Sequence, residues 1–111
     1  MFEHEELNGL HIIRINASRM DASNSPEFLA LVGRMVEDDI NEIALDFTGV
    51  AFMDSSALGA TVTALKRVGA QGSLTLIGVS GLVEDLFKLT RMDRIFSMVA
   101  TVEEARMPRS A

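Results

Sequence analysis

One stretch constrains this chain more than any other. Ile43-Ala44-Leu45-Asp46-Phe47 is an almost unbroken apolar run of strand length. Leu58 to Val68 then carries apolar residues at helical spacing. A strand that is apolar on both faces needs cover on both, and a helix following it returns the chain along the sheet. The pair predicts a β-α unit inside a mainly parallel sheet. Its joint is Val50-Ala51-Phe52-Met53-Asp54-Ser55-Ser56-Ala57-Leu58-Gly59, a short polar knot of one carboxylate and two hydroxyls between apolar flanks.

The rest of the chain fits around that unit. Asn8-Gly9 is a two-residue hairpin signal, because both positions tolerate positive φ. It joins an edge strand near Phe2–Leu7 to a second strand, His11–Asn16. Glu3, Glu5 and Glu6 suit an exposed edge. After a polar loop, Ala17 to Ser25, Pro26 fits a first helical position with Ser25 as cap. Phe28, Val32, Met35 and Val36 continue that helix until it fades near Asp38-Asp39. Gly69 and Gly72 stop the central helix. Ser73–Val79 reads as an inner strand, Gly81–Leu89 as a short amphipathic helix, and Ile95–Val99 as a last strand. Thr101-Val102-Glu103-Glu104 has the capping-box pattern and opens a final short helix. The expected order is β-β-α-β-α-β-α-β-α: one α/β domain over residues 1–111, a mixed sheet, about four helices, and a loose tail over 106–111.

Composition narrows the function. A net charge of −6 at pH 7 argues against a nucleic-acid partner, which needs a basic surface. Without cysteine, a disulfide framework or thiolate metal site is excluded. No apolar run approaches the ~20 residues of a membrane span, so direct membrane insertion is not expected. The acidic start, Met1 to Glu6, lacks the basic-then-apolar pattern of a signal peptide, and cytoplasmic localisation is the default.

Catalytic readings fare poorly. A nucleophile elbow needs glycine two residues before and after its serine. Ser55 has Met53 and Ala57 there, and Ser56 has Asp54 and Leu58. The only histidines, His4 and His11, lie in the opening hairpin, where ordinary surface or edge roles suffice. Gly69-Ala70-Gln71-Gly72 lacks the lysine of a phosphate loop and reads as a turn. Neither catalytic residues, metal nor cofactor are expected. Asp46 reads as structural.

The central helix sets the two serines apart. Leu58, Val62, Leu65 and Val68 form one stripe, read as the buried face. At about 100° per residue, Ser55 then falls about 60° from Leu58 and Ser56 about 160° away. Ser56 is therefore expected to face outward with Thr63 and Arg67, and Ser55 to lean inward. Ser56 also sits where a helix takes an N-cap. Taken alone, it is an ordinary cap.

Phe52-Met53-Asp54-Ser55-Ser56-Ala57-Leu58-Gly59 resembles the D-S-S-G-L-G signature of STAS domains, specifically stand-alone anti-sigma factor antagonists. Ala57 stands where that family has glycine, and is the better helix former. Weaker family-like stretches are Met20-Asp21, Ile77-Gly78-Val79-Ser80 and Leu86-Phe87-Lys88-Leu89-Thr90. The glycine often found before the family's loop aspartate is missing from Asn16–Arg19. The resemblance implies a non-enzymatic regulator that works by partner switching. Its second serine, Ser56 here, would be phosphorylated by an anti-sigma factor kinase of the GHKL type and reset by a PP2C-like phosphatase. Asp21, Ser23, Met53, Asp54, Ser55, Ser56 and Ala57 would form the partner surface, with Met53 exposed. Two other readings stand beside it: a regulatory subunit of a transporter ATPase, and a sensor of small anions at the helix start.

Overall fold

The computed structural model describes residues 1–107. Strands β1 (Phe2–Leu7) and β2 (Leu10–Ile15) form the opening hairpin. Its turn has Asn8 at φ 52° and Gly9 at φ 90°. Positive φ at both central residues matches the right-handed twist of the strands, which is why Asn-Gly is favoured there. A two-residue strand β3 (Arg19–Met20) precedes helix α1 (Ser25–Glu37). Strand β4 (Glu42–Asp46), the two-residue β5 (Phe52–Met53) and helix α2 (Ser55–Val68) form the central unit. Strand β6 (Ser73–Ile77), helix α3 (Gly81–Leu89), a 3-10 turn (Met92–Arg94), strand β7 (Ser97–Val99) and helix α4 (Val102–Arg106) complete the domain.

The main sheet runs β1-β2-β4-β6-β7, antiparallel at β1–β2 and parallel thereafter. Successive right-handed crossovers in one direction place their helices on one face. The core shows this directly. Ile13, Ile15, Ile43, Leu45, Phe47, Leu74 and Leu76 pack with Phe28 and Val32 of α1, Ala60 and Ala64 of α2, and Val83 and Phe87 of α3. Alternate residues on the same strands, Leu10, Ile12, Ala44 and Ile77, form a smaller rear cluster, closed by Val102 and Ala105 of α4. Asp46 ends β4 buried, as expected of a structural residue. Its Oδ1 accepts from the Thr48 amide (2.9 Å) and hydroxyl (2.5 Å), and its Oδ2 faces Arg14 Nε at 3.4 Å.

The mixed α/β order expected from sequence is present, with local differences. β3 and β5 form a separate parallel ladder inside stretches that read as loop and knot. Two residues are too few to show alternation. Helix α1 begins at Ser25, with Asn24 before it and no side-chain cap bond. The hydroxyl of Ser25 instead donates to the Asp21 carbonyl, and the side-chain Nδ2 of Asn24 donates to the Arg19 carbonyl at 2.9 Å. The expected cap at Thr101 is present, accepting from the Glu104 amide at 3.2 Å. Arg106, read as tail, belongs to α4 and pairs with Glu103. The tail residues 108–111 lie outside the described residues.

Candidate functional site

The small ladder builds the site. Pairing Arg19 with Phe52 and Met20 with Met53 brings the 21–25 loop beside the start of α2. The Asp54 amide donates to the Met20 carbonyl at 3.2 Å, and the amides of Ala51 and Phe52 donate to Ser18. Arg19 lies over the Phe52 ring, 4.3 Å from its centroid, with its Nε 3.8 Å from Asp21. Sequence reading did not single out Arg19, since nothing local marks β3 as a strand.

Asp54, not Ser56, is the N-cap of α2. Its backbone is extended (φ −96°, ψ −178°), and its carboxylate accepts from the Ala57 amide at 2.9 Å. Ser55 and Ser56 are the first two helical residues. Asp54 thus satisfies one of the orphan amides of the first turn and places negative charge at the positive end of the helix.

The phase of α2 also differs from expectation. Its buried residues are Ala57, Ala60, Thr61, Ala64 and Val68, while Leu58, Val62 and Leu65 are only partly covered. Close packing of α2 between α1 and the sheet selects small side chains on the innermost line, and the larger ones fill its margin. From the centre of that line, Ser55 lies about 160° away and Ser56 about 100°, at 100° per residue. Both serines are exposed, so the inward lean of Ser55 is corrected. The outward placement of Ser56 holds.

Ser56 looks into a groove of about 390 Å³ between α1 and α2, lined also by Ala22, Ser25, Pro26, Leu29, Ala60 and Thr63. Thr63 shares its side of the helix, as expected. Two residues expected on the partner surface are placed elsewhere. Met53 is 6% exposed, because β5 turns it inward opposite Met20 and leaves Phe52 towards solvent. Ala57 is fully buried, its methyl on the core line of α2. Asp21 and Asp54 are half-buried, and Ser23, Ser55 and Ser56 are exposed.

Asp21 is held by its own loop. Its Oδ1 accepts from the Ser23 hydroxyl (2.5 Å) and amide (2.9 Å). These bonds hold its carboxyl below the ordinary value of 3.8; partial burial opposes them, and Arg19 adds a smaller pull in the same direction. Asp21 is therefore an anion at neutral pH, beside the start of α2. Among the described residues, no imidazole or amine lines the groove. The arrangement presents hydroxyls and carboxylates to an incoming molecule. His4 and His11, read separately from sequence, meet across the hairpin at 2.8 Å, remote in sequence from the Ser56 groove and absent from its lining.

A mixed sheet flanked on one face by three crossover helices, with a serine pair at the start of the central helix, defines a single α/β domain of one well-marked class. The chain belongs to the STAS domain family, whose model matches residues 1–105. It is similar to TM1081 of Thermotoga maritima, a candidate anti-sigma factor antagonist: 25% identity over 94% of this chain and 90% of that one, with a TM-score of 0.83. An anti-sigma factor antagonist from Mycobacterium paratuberculosis superposes at a TM-score of 0.86, with 18% identity over 95% of this chain and 89% of that one. SpoIIAA of Bacillus, in its phosphorylated form, gives a TM-score of 0.74, with 22% identity over 95% and 96% of the two chains. Among the described residues, no helix is long and apolar enough to cross a membrane.

Proposed function

We propose that this chain is an anti-sigma factor antagonist that acts by partner switching, with Ser56 as its phosphoacceptor. The observation that carries the reading is an exposed Ser56 hydroxyl, free of cap duty because Asp54 holds the cap, standing at a groove beside the Asp21–Ser23 loop. The likeness to anti-sigma factor antagonists supports the same reading.

The partner is an anti-sigma factor that is also a serine kinase of the GHKL type and supplies the ATP site. It docks on Asp21, Ser23, Asp54, Ser55 and Ser56. The Ser56 oxygen attacks the γ-phosphorus of ATP, the bridging bond to the β-phosphate breaks, ADP leaves, and the serine proton passes to a base on the kinase. A PP2C-like phosphatase restores the hydroxyl by hydrolysis. The chain itself is substrate rather than enzyme, and works in the cytoplasm.

Phosphate adds roughly −1.5 to −2 charges at neutral pH. At a helix start the folded domain tolerates them. The docked partner does not, because they must be desolvated beside Asp21 and Asp54, and like charges at an interface can cost several kcal/mol. Each ~1.4 kcal/mol is tenfold in affinity. The test is a titration of Ser56→Ala and Ser56→Asp against a GHKL-type anti-sigma factor kinase captured on the wild-type chain from its native cell, with phosphosite mapping of the wild type. Alanine should bind and resist modification; aspartate should bind at least about tenfold more weakly. Equal binding by the two folded variants would sink the charge switch.

A further inference from the structure

We infer that the opening hairpin carries a two-imidazole chelate for a borderline divalent cation such as Zn²⁺ or Cu²⁺, formed by His4 and His11. The inference is independent of the reading of Ser56.

The Asn8-Gly9 turn sets the register: Leu7 opposes Leu10, Glu6 opposes His11, and His4 opposes Ile13. Opposed residues on an antiparallel pair share a face, and residues two apart on one strand share it too. His4, Glu6 and His11 therefore stand on the same face of the hairpin. It is the face on which Phe2 meets Phe28 of α1, with ring centroids 6.1 Å apart. The two imidazoles are tilted at 41° with centroids 5.0 Å apart, and His4 Nε2 lies 2.8 Å from His11 Nδ1.

Two neutral imidazoles at that distance share one proton: one ring donates N–H and the other accepts with its lone pair. A divalent cation takes both facing lone pairs once the donating ring passes its proton, through water, to its other ring nitrogen. Around a tetrahedral centre with Zn–N of about 2.0–2.1 Å, two nitrogens stand about 3.3 Å apart. Opening the pair by about half an ångström needs only side-chain rotation, since His4 is exposed and His11 half-buried. Among the described residues, no three His, Cys, Asp or Glu side chains are gathered as a cage. The chain therefore offers two ligands, and water or an incoming group takes the remaining positions. Such a site exchanges its metal, and imidazole nitrogen suits Cu²⁺ and Zn²⁺ rather than Mg²⁺ or Ca²⁺. Bound metal would tie edge strand β1, whose central residues Glu3 to Glu6 are all exposed, to β2.

The test titrates the full chain with ZnCl₂ at about pH 7.5, where imidazole is largely neutral. It follows heat and the histidine ring resonances. One Zn²⁺ per chain should bind and shift the resonances of both rings. His4→Gln and His11→Gln should each weaken binding at least about tenfold, because each removes one of two ligands. Binding should also weaken at about pH 5.5, since both ligating nitrogens must be unprotonated. His4 is exposed and His11 half-buried, so circular dichroism checks that the fold persists in each variant. Binding unchanged in both variants would assign the metal to the terminal amine or the glutamates and overturn the inference. So would unshifted histidine resonances in excess Zn²⁺.

Discussion

Removing the side chain of Asp54 should destabilise the domain more than removing the hydroxyl of Ser56. Asp54 accepts the Ala57 amide at 2.9 Å and is the capping residue of α2. Losing an N-cap costs ~1 kcal/mol, within a range of about 0.5–2. Losing the favourable charge at the helix start adds about 0.3–1 kcal/mol, partly the same interaction. Asp54→Ala should therefore cost about 1–2 kcal/mol. At roughly 4 °C per kcal/mol for a domain of this size, the melting temperature falls by about 4–8 °C. Asp54→Asn keeps a competent cap and loses only the charge, so its cost stays below about 1 kcal/mol. Ser56→Ala touches no cap bond and substitutes a better helix former, so it should lie within about 0.5 kcal/mol of wild type. Urea unfolding and thermal melts of the three variants measure the order. If Ser56→Ala costs as much as Asp54→Ala, the cap assignment is wrong and Ser56 has a structural duty.

Three further outcomes follow from the packing and the charges. Ala64 is fully buried on the inner line of α2, so Ala64→Leu should overpack that contact and cost about 1–3 kcal/mol in urea unfolding. Gly78 has φ 70°, and a Cβ there would lie 2.4 Å from the Thr48 hydroxyl oxygen; Gly78→Ala should cost more than about 1 kcal/mol and lower the melting temperature. The Asp21 carboxyl is held below its ordinary value of 3.8, chiefly by the Ser23 hydroxyl. Its contribution is thus fully present above that value and fades as pH falls through the lower folded-state value. Melts of wild type and Asp21→Asn should diverge at neutral pH and converge in strong acid; a constant gap across that range would remove the linkage.

How far the sequence could be read depended on the length of each signal. The strands around Ile13, Leu45 and Leu76 and helices α1 and α3 carry runs long enough for their periodicity to show. The Asn8-Gly9 turn is specified by backbone sterics at two adjacent residues, and its hairpin follows. The ladder of β3 and β5 is specified by tertiary pairing alone, and it is this ladder that sets the 21–25 loop beside Asp54. The phase of α2 differs from the expected one for a physical reason. The largest apolar residues suggest the buried face, yet where two helices and a sheet approach closely the buried line must be small, here Ala57, Ala60 and Ala64. That phase turns Ser55 inward in the expectation, while a helix start read near Leu58 gives Ser56 the cap that Asp54 holds. The meeting of His4 and His11 was open to anyone who counted the register outward from the turn.

The division of labour at the start of α2 bears on how a switch could work there. A serine that caps its helix cannot be modified without disturbing the bond that starts the helix. Here the carboxylate of Asp54 makes that bond and the Ser56 hydroxyl two residues later is spare. On the proposed function, phosphate at Ser56 leaves the Asp54–Ala57 bond in place and adds its charge beside the groove of Ala22, Leu29 and Ala60, where a partner must approach. The modification would then change affinity far more than stability. The same geometry explains why Ala57 can replace the family's glycine: it is fully buried, its amide is held by Asp54, and its methyl faces the core rather than solvent. A bulkier residue at position 57 would push against the sheet and tilt the helix start, coupling the fold to the site that Asp54 otherwise keeps separate from it.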